Sequence, residues 1–152
     1  MENIEPLLDM GFLSREFGVS DETRHVLANE EFTEIVSFDQ DTILIQQASQ
    51  PDALYFTLDG VFHAISHANP GAPYRLLGRI EPGQFIGEVC LVDRESKASA
   101  TVKAMRHAMA LKMKPNSFEL LSETHPKAAL EFLFAVSRQL ASRLRAANEK
   151  VL

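Results

Sequence analysis

The most regular pattern in this sequence is a series of short runs in which apolar and polar residues alternate. The runs cover residues 32–38, 42–46, 53–58, 61–66, 75–80, 100–105 and 109–114. Turn formers such as Asp59-Gly60 and Pro82-Gly83 separate them. Alternation with a period of two is typical of half-buried strands. Seven or eight short strands at this spacing predict an antiparallel sandwich or barrel, not a parallel sheet with crossover helices.

Helical patterns flank this β region on both sides. At the N-terminal side, Ser14 begins a short turn that ends near Gly18. Ser20 precedes two acidic residues, which is a good helix start because acids favour the positive end of the helix dipole. We therefore expect a helix over residues 21–29 that turns Val26 and Leu27 toward the core.

The C-terminal side carries two predicted helices. Asn116 or Ser117 caps a short helix that runs through Leu121, and Pro126 fits the first turn of a long helix. The whole layout predicts a single domain, residues 1–152, with a helical segment (1–31), a β-roll (32–115) and C-terminal helices (116–152).

Apolar residues repeat every seven positions along the long helix. One row holds Leu133, Leu140 and Ala147, and the other holds Leu130, Ser137, Leu144 and Val151. Such spacing is typical of a coiled-coil seam, although a helix packed on its own barrel also carries an apolar stripe. We favour a homodimer seam because the stripe extends further than one small barrel can cover.

Charge and composition exclude several function classes. The chain has 152 residues and a formal net charge of -6, which argues against nucleic acid as the main partner. No apolar run approaches the ~20 residues that span a bilayer, and the first residues lack the basic character of a signal peptide. We therefore expect no membrane partner and a cytoplasmic location.

Catalytic and metal-binding motifs are missing from the sequence. The five histidines are scattered, and no nucleophile elbow, phosphate-binding Walker loop or paired carboxylates occur. The single cysteine, Cys90, lies in an apolar stretch and is expected to be buried and unreactive. These observations predict a protein that is not an enzyme and needs neither a metal nor a cofactor.

The most informative segment begins at Glu81 and runs to Asp93. A Pro-Gly turn leads into a strand, and Gly87 then opens a short apolar segment with one turn of helix. A glycine at this point allows close approach of the backbone and presents N–H groups to an anion. Glu88 follows and is an acceptor for hydroxyls such as those of a ribose.

These residues together resemble the cyclic-nucleotide-binding domain family, which includes the catabolite activator protein and regulatory subunits of cyclic-AMP-dependent kinase. The resemblance rests on Gly60, residues 83–91 (GQFIGEVCL) and residues 98–102 (ASATV), and it covers about residues 20–152. It implies a mainly β fold, an eight-stranded antiparallel β-roll with an N-terminal helix and a long C-terminal helix.

The resemblance also implies a set of ligand-binding residues. They are Phe85, Gly87, Glu88, Val89, Lys97, Ala98, Ser99, Ala100 and, on the helix that caps the base in this family, Arg143. Arg145 and Asn148 lie on the same helix, and the sequence does not decide which of the three polar groups faces the base. The implied ligand is cAMP, cGMP or another cyclic nucleotide.

The sequence departs from the family pattern at three positions. Asp41 and Ala48 stand where family turns usually carry glycine. Ala98 stands where the family has a phosphate-binding arginine, and that loss costs about 1.5–3 kcal/mol of binding free energy. Lys97 and Arg94 are nearby cations, although neighbouring residues of an extended segment point to opposite sides. The Ser99 hydroxyl is a second group suited to a phosphate oxygen.

Two functions fit these observations. The first is a regulatory sensor that binds a cyclic nucleotide, acts as a homodimer and signals through its C-terminal helix to a protein effector. The alternative is a degenerate domain that has lost nucleotide binding and serves as a protein-interaction or dimerisation module.

Overall fold

The computed structural model of the protein describes residues 18–69 and 71–151. The predicted turn at Ser14 lies outside these residues. The described elements, in chain order, are α1 (Asp21–Leu27), β1 (Glu34–Phe38), β2 (Ile43–Ile45), β3 (Leu54–Asp59), β4 (Phe62–His67), β5 (Tyr74–Ile80), β6 (Phe85–Ile86), α2 (Val89–Val92), β7 (Thr101–Ala104), β8 (Ala108–Met113), α3 (Pro115–Thr124) and α4 (Pro126–Val151). They form two compact units: a β unit (Thr33–Pro115) and a helical unit built from the residues on either side.

The β unit consists of two antiparallel sheets with four strands each. The strand order is β1-β8-β3-β6 in the first sheet and β2-β7-β4-β5 in the second. Successive strands alternate between the sheets, as in a jelly roll, except that β4 and β5 pair with each other in the second sheet. The eight described strands confirm the predicted antiparallel β-roll, with small shifts of boundary; β1, for example, begins at Glu34 and not at residue 32.

The interior of the β unit is packed with apolar side chains from both sheets. The Phe38 ring packs edge-on against Tyr55, with the ring centroids 6.2 Å apart, and against Phe62, with the centroids 5.8 Å apart. Ile45, Ala53, Ile86, Val102, Ala104, Ala108 and Ala110 complete this interior cluster. Small residues on β7 and β8 leave room for the large rings, so the roll interior is filled by side chains.

Two tight turns of the β unit adopt a backbone conformation that favours glycine. Asp41 has a φ of 70° and Ala48 has a φ of 68°. These are the two positions at which the family pattern has glycine, so the sequence comparison located both turns correctly. Asp tolerates the left-handed region through its short polar side chain, whereas Ala has no such compensation.

In the helical unit, α1 starts as predicted, because the Ser20 hydroxyl accepts a hydrogen bond from the Thr23 N–H at 3.2 Å. The helix ends at Leu27, two residues earlier than expected. Its buried side chains are Thr23 and Leu27, and Val26 is only half-buried. Leu27 is thus buried as predicted, whereas Val26 is covered only in part, and Thr23 takes a buried position for a polar contact.

That polar contact is made with Glu131 of α4. The Glu131 carboxylate accepts hydrogen bonds from the Ser20 N–H at 3.0 Å, from the Ser20 hydroxyl at 3.1 Å and from the Thr23 hydroxyl. Burial raises the pKa of Glu131, but the bonds from Thr23 and Ser20 outweigh it and leave the pKa below its usual value. Glu131 thus caps α1 from another helix and holds the two helices together.

The long helix α4 begins at Pro126, as predicted. Its first half buries one face, made by Ala128, Ala129, Phe132, Ala135 and Val136. Every residue from Leu140 to Lys150 is exposed. No helix among the described residues is both long and apolar enough to cross a membrane.

Candidate ligand-binding site

A buried threonine holds the turn that leads into the candidate site. The Thr57 hydroxyl donates a hydrogen bond to the Glu81 carbonyl at 2.8 Å and accepts one from the Gln84 N–H at 2.9 Å. Gly83, between them, has a φ of 90°, as its Pro-Gly turn requires. Sequence reasoning missed Thr57, because a threonine in an apolar strand does not reveal a partner more than twenty residues away.

Phe85 follows this turn in β6 and is 1% exposed. Its ring centroid lies 4.9 Å from that of Phe56. The structure thus places Phe85 in the core beneath the candidate site, where it supports the backbone of the loop.

Position 87 favours glycine for two reasons: its φ of 73° lies in the left-handed region, and neighbouring atoms leave no room for a side chain. A Cβ added here would lie 2.8 Å from the Ala53 carbonyl oxygen and 3.0 Å from Ile45 Cδ1. The backbone of residue 87 therefore packs directly against the segment between β2 and β3. No side chain fits this approach without moving backbone atoms.

Helix α2 begins at Val89, two residues after Gly87. The Gly87 carbonyl accepts from the Cys90 N–H at 3.2 Å, and the Glu88 carbonyl accepts from the Leu91 N–H at 3.1 Å. Glu88 is the N-cap of this helix, and its half-buried side chain makes no capping hydrogen bond. Val89, the first residue of α2, is also half-buried.

Ala98, at which the resemblance predicts the loss of an arginine, is held by backbone pairing. Its N–H donates to the Ser49 carbonyl at 2.7 Å, and its carbonyl accepts from the Ala48 N–H at 2.8 Å. Its methyl group packs against the interior cluster of the β unit. Lys97 and Ser99 on either side are exposed. The inward side chain here is therefore apolar, and the adjacent cation, Lys97, is exposed.

The connection between β2 and β3 joins both halves of the candidate site. Ala53 abuts Gly87, and the Ala48-Ser49 turn pairs with Ala98. A longer contact from Gln50 Nε2 to the Glu95 carbonyl, at 3.5 Å, ties the same connection to the loop after α2. This shared neighbour brings the Gly87–Val89 backbone and the Lys97–Ala100 segment into one region of the β unit.

Gln47 anchors that connection and was not singled out from the sequence. Its side-chain amide accepts from the His67 N–H at 2.9 Å and donates to the His67 carbonyl at 3.2 Å. Its own N–H donates to the Thr101 hydroxyl at 2.9 Å. A glutamine after a strand has no distinctive sequence pattern, so only the folded chain reveals this bridge between β4 and β7.

Two weak acids near the site favour their neutral forms. Burial, together with the nearby Asp52 and Glu88 carboxylates, raises the pKa of the Cys90 thiol to about 11. Burial and Asp52 likewise raise the pKa of Tyr55 to about 12. Cys90 is buried, as predicted, and its thiol stays protonated at neutral pH. Among the described residues, no group of three metal-binding side chains is suitably placed for an ion.

Three of the predicted polar residues belong to α4 in the helical unit. Arg143, Arg145 and Asn148 are all exposed on that helix. The contribution of Arg143 to a ligand site therefore stays a prediction.

The two four-stranded antiparallel sheets, with a glycine-dependent turn followed by a single-turn helix, place the β unit in the jelly-roll class of folds. The sequence matches the family model described as the cyclic nucleotide-binding domain over residues 35–125. The chain belongs to this family, and the resemblance stated from the sequence is confirmed.

Similar proteins include regulators and effectors. The chain is 27% identical over 120 residues to the Pycsar effector protein BcPycTIR of Burkholderia cepacia, covering 79% of this chain and 38% of the relative. It is 28% identical over 108 residues to the cAMP-activated global transcriptional regulator CRP of Salmonella typhimurium, covering 71% and 49%. It spans less than half the length of both relatives. A solved cyclic nucleotide-binding domain from Methylobacillus flagellatus superposes with a TM-score of 0.80 at 18% identity, covering 97% of this chain and 81% of that one.

Proposed function

We propose that this chain is a regulatory domain that binds a cyclic nucleotide and transmits binding through α4, without enzymatic activity of its own. The observation that carries the proposal is Gly87. Its φ is positive, and a Cβ added here would lie only 2.8 Å from the Ala53 carbonyl oxygen, so this position retains the glycine-dependent turn expected of a ligand-binding loop in a chain of this family.

Each predicted site residue takes a role from its chemistry. The Glu88 carboxylate, half-buried next to the Gly87 turn, accepts hydrogen bonds from ribose hydroxyls. The backbone at Gly87 and Val89 lies against the sugar and phosphate, and the Ser99 hydroxyl and Ala100 backbone approach the phosphate. Lys97 contributes a screened positive charge from the exposed side of the segment.

Ala98 makes this a weaker binder than a site with arginine. A charge-assisted bond is worth about 1.5–3 kcal/mol, which corresponds to about tenfold to a hundredfold in the dissociation constant. Because the Ala98 backbone is paired on both sides with the Ala48-Ser49 turn, a longer side chain changes the chemistry without removing these hydrogen bonds.

Isothermal titration with cAMP, cGMP and cyclic dinucleotides tests the proposal. We expect measurable binding of at least one of them, reduced at least tenfold by Glu88→Gln. The matched control is Glu123→Gln, the same change at an exposed position of α3. Absence of binding by all these nucleotides, in the parent and in Ala98→Arg alike, would contradict a nucleotide-binding function.

Ala98 also supports a second candidate function, a degenerate domain that acts as an interaction or dimerisation module. The Ala98→Arg variant separates the two. If the parent binds no nucleotide and the variant does, the site is intact but lacks its phosphate ligand, and the second function is favoured. Equally tight binding by parent and variant shows that another group holds the phosphate.

We further propose that the chain forms a homodimer through α4. Four large apolar side chains on α4 are exposed to solvent: Leu130 (56%), Phe134 (53%), Leu140 (42%) and Leu144 (62%). A group of exposed apolar side chains on one helix is typical of a protein–protein interface. Sedimentation of Ala141→Glu and Ala146→Glu tests this. Both alanines are exposed on α4, but only Ala141 lies between the exposed leucines on the apolar stripe. We expect the Ala141→Glu variant to be monomeric and the Ala146→Glu variant to remain dimeric.

The effector and location also remain proposals. We expect a protein effector that reads the state of α4, and a cytoplasmic location. Capture of an effector by the parent, and its loss from a variant with an altered α4, would support the first of these.

A further inference from the structure

Strand β5 lies at the end of the second sheet and has one open edge. The order of this sheet is β2-β7-β4-β5, and β5 pairs only with β4. An end strand presents a row of unpaired N–H and C=O groups along its outer edge. Among the described residues, no group outside β4 forms a hydrogen bond with the backbone of Tyr74–Ile80. The open edge is about 24 Å long, which is enough for one more strand.

The side chains of β5 are unusual for an end strand. Every residue from Tyr74 to Leu77 is exposed, and three of them are large apolar residues: Tyr74, Leu76 and Leu77. Soluble proteins commonly protect such an edge with lysine, proline or a very short strand. β5 has seven residues and contains neither lysine nor proline. A group of exposed apolar side chains beside an open edge is typical of an interaction site.

We propose that the outer edge of β5 binds an extended, acidic segment of a partner protein, which joins the second sheet as a fifth strand. In this mode of recognition, main-chain hydrogen bonds provide affinity and alternate side chains provide specificity. Apolar side chains of the segment cover Leu76 and Leu77, and its carboxylates lie near Arg75 and Arg79. The proposal depends neither on nucleotide binding nor on α4.

The charges of β5 indicate the chemistry of the partner. Arg75 and Arg79 are exposed, and the strand that carries them has no acidic residue. Arg79 forms an ion pair with Glu81, whereas Arg75 forms none within the described residues. Their cross-strand neighbours on β4 are Ser66 and His63, so β4 supplies no carboxylate. Opposite charges on adjacent strands stabilise their pairing, and a segment with glutamate or aspartate is therefore favoured.

A second copy of this chain is a poorer occupant for the same electrostatic reason. The symmetric antiparallel pairing of two whole β5 strands is centred on Leu77, and it sets Arg75 of each copy opposite Arg79 of the other. Like charges directly opposite each other on adjacent strands are destabilising. The two arginines therefore oppose pairing of β5 with itself and favour pairing with an acidic strand.

The hairpin that carries β5 is held in place by contacts that leave the outer edge open. Gln47 bonds both backbone groups of His67, the residue of β4 that pairs with Tyr74. His67 Nδ1 donates to the Ala72 carbonyl at 3.0 Å, and the His67 ring packs edge-on against Tyr74 with the centroids 6.0 Å apart. An edge that is already ordered loses less conformational entropy when a partner binds.

Amide hydrogen exchange tests first whether the edge is open. β4 lies between two strands, whereas β5 has one neighbour. We expect the β5 amides that point away from β4 to exchange about tenfold faster than the amides of β4, or faster still. Protection of every β5 amide in the free chain would contradict the proposal, because another segment of this chain or a second copy would then cover the edge.

Selection from a display library of random decapeptides tests the chemistry of the partner. We expect peptides enriched on the parent chain to combine acidic residues with strand-forming apolar residues and to lack a central proline, which cannot donate to the sheet. An enriched peptide should slow the exchange of the outward β5 amides. Failure to enrich any peptide, enrichment of basic peptides, or binding that leaves β5 exchange unchanged would each refute the proposal.

Arg75→Glu and Arg106→Glu form a matched pair for the electrostatic argument. Both arginines are exposed, and Arg106 lies in the turn between β7 and β8, outside β5. We expect Arg75→Glu to weaken the binding of an enriched acidic peptide about fivefold or more, and Arg106→Glu to change it less than about twofold.

The contrary outcomes are distinct. Equal weakening by both variants would show that only the net charge of the chain matters, and would refute recognition at β5. Self-association that is lost in Leu76→Lys, together with no peptide binding, would assign the edge to a second copy. The titrations with cyclic nucleotides are independent of each of these results.

Discussion

Replacing Gly87 with alanine tests whether the turn of the candidate site depends on a backbone approach that only glycine allows. The new methyl carbon would lie 2.8 Å from the carbonyl oxygen of Ala53, a buried residue adjoining β3. Real Cβ atoms do not come this close to a carbonyl oxygen, and a backbone atom cannot rotate away as a flexible side chain does. The substitution therefore strains residue 87 and displaces either α2 or the β2–β3 connection.

The expected cost has three parts. A left-handed alanine costs about 1–2 kcal/mol relative to glycine, and overpacking against an unyielding neighbour costs about 1–3 kcal/mol. Alanine also reduces the conformational entropy of the unfolded chain, which stabilises the folded variant by about 0.4–1 kcal/mol and offsets part of this cost. We expect Gly87→Ala to lower the free energy of unfolding by about 3 kcal/mol, a large part of the stability of an ordinary domain.

Other glycines of this chain separate these contributions. Gly83 has a φ of 90° with open space around its Cβ position, so Gly83→Ala reports the backbone strain alone. Gly78 has open space without a positive φ, so Gly78→Ala is expected to be neutral or slightly stabilising. Gly60 has a φ of 80°, and a Cβ added there would lie 2.7 Å from atoms of Ala108. We therefore expect Gly60→Ala to lower the free energy of unfolding as much as Gly87→Ala does.

Urea unfolding followed by far-ultraviolet circular dichroism measures the whole series, since the chain has no tryptophan to report by fluorescence. The expected order of destabilisation places Gly60→Ala and Gly87→Ala well above Gly83→Ala, with Gly78→Ala last. If Gly87→Ala were no more destabilising than Gly83→Ala, the close approach of Ala53 would not constrain this turn. The main argument for a preserved ligand-binding backbone would then fail.

Three further predictions concern other parts of the molecule. Ala48→Gly should raise the free energy of unfolding, measured in urea, by about 0.5–1 kcal/mol. The reason is that Ala48 is exposed and its φ of 68° is strained for alanine but not for glycine. A destabilised variant would contradict this. Glu131→Gln should cost about 0.5–2 kcal/mol at neutral pH by weakening the cap on α1. Since folding lowers the Glu131 pKa, this stabilisation is present above its ordinary pKa of 4.5 and is lost as pH falls below it, so the gap between parent and variant should narrow in acid. Folding raises the pKa of Cys90 from 9.0 to about 11 and that of Tyr55 from 10.0 to about 12, so the free energy of unfolding should decline as pH rises from about 9 to 12. Cys90→Ala should make the first part of that decline shallower. A free energy of unfolding that stays constant in the parent over this pH range would refute the prediction.

Local patterns were sufficient for much of the fold. Alternation located the longer strands, and the glycine positions of the family pattern identified the turns at Asp41 and Ala48 even though glycine itself is absent there. The apolar surroundings of Cys90 correctly predicted its burial. Each of these properties depends on residues close together in the chain, so a short window of sequence contains the information.

The contacts that assemble the candidate site are of another kind. Thr57 holds a turn that begins at Glu81, Gln47 bridges to His67 and Thr101, and the inward residue of α1 is chosen by Glu131. Each of these contacts joins residues that are distant in the chain through a single polar group. Such a contact produces no periodic pattern in the sequence, so the sequence does not predict it.

The sequence by itself determined the class of this protein, because strand alternation, turn residues and the Gly-Gln-Phe-Ile-Gly-Glu loop of residues 83–88 are local. The resemblance also predicts that Ala98 stands where the family carries a phosphate-binding arginine. Only the tertiary structure decided that this alanine packs inward while Lys97 is exposed, that Phe85 supports the loop from the core, and which stripe of α4 is exposed. Those outcomes depend on which face of each element the rest of the fold covers, and burial is a property of the assembled chain.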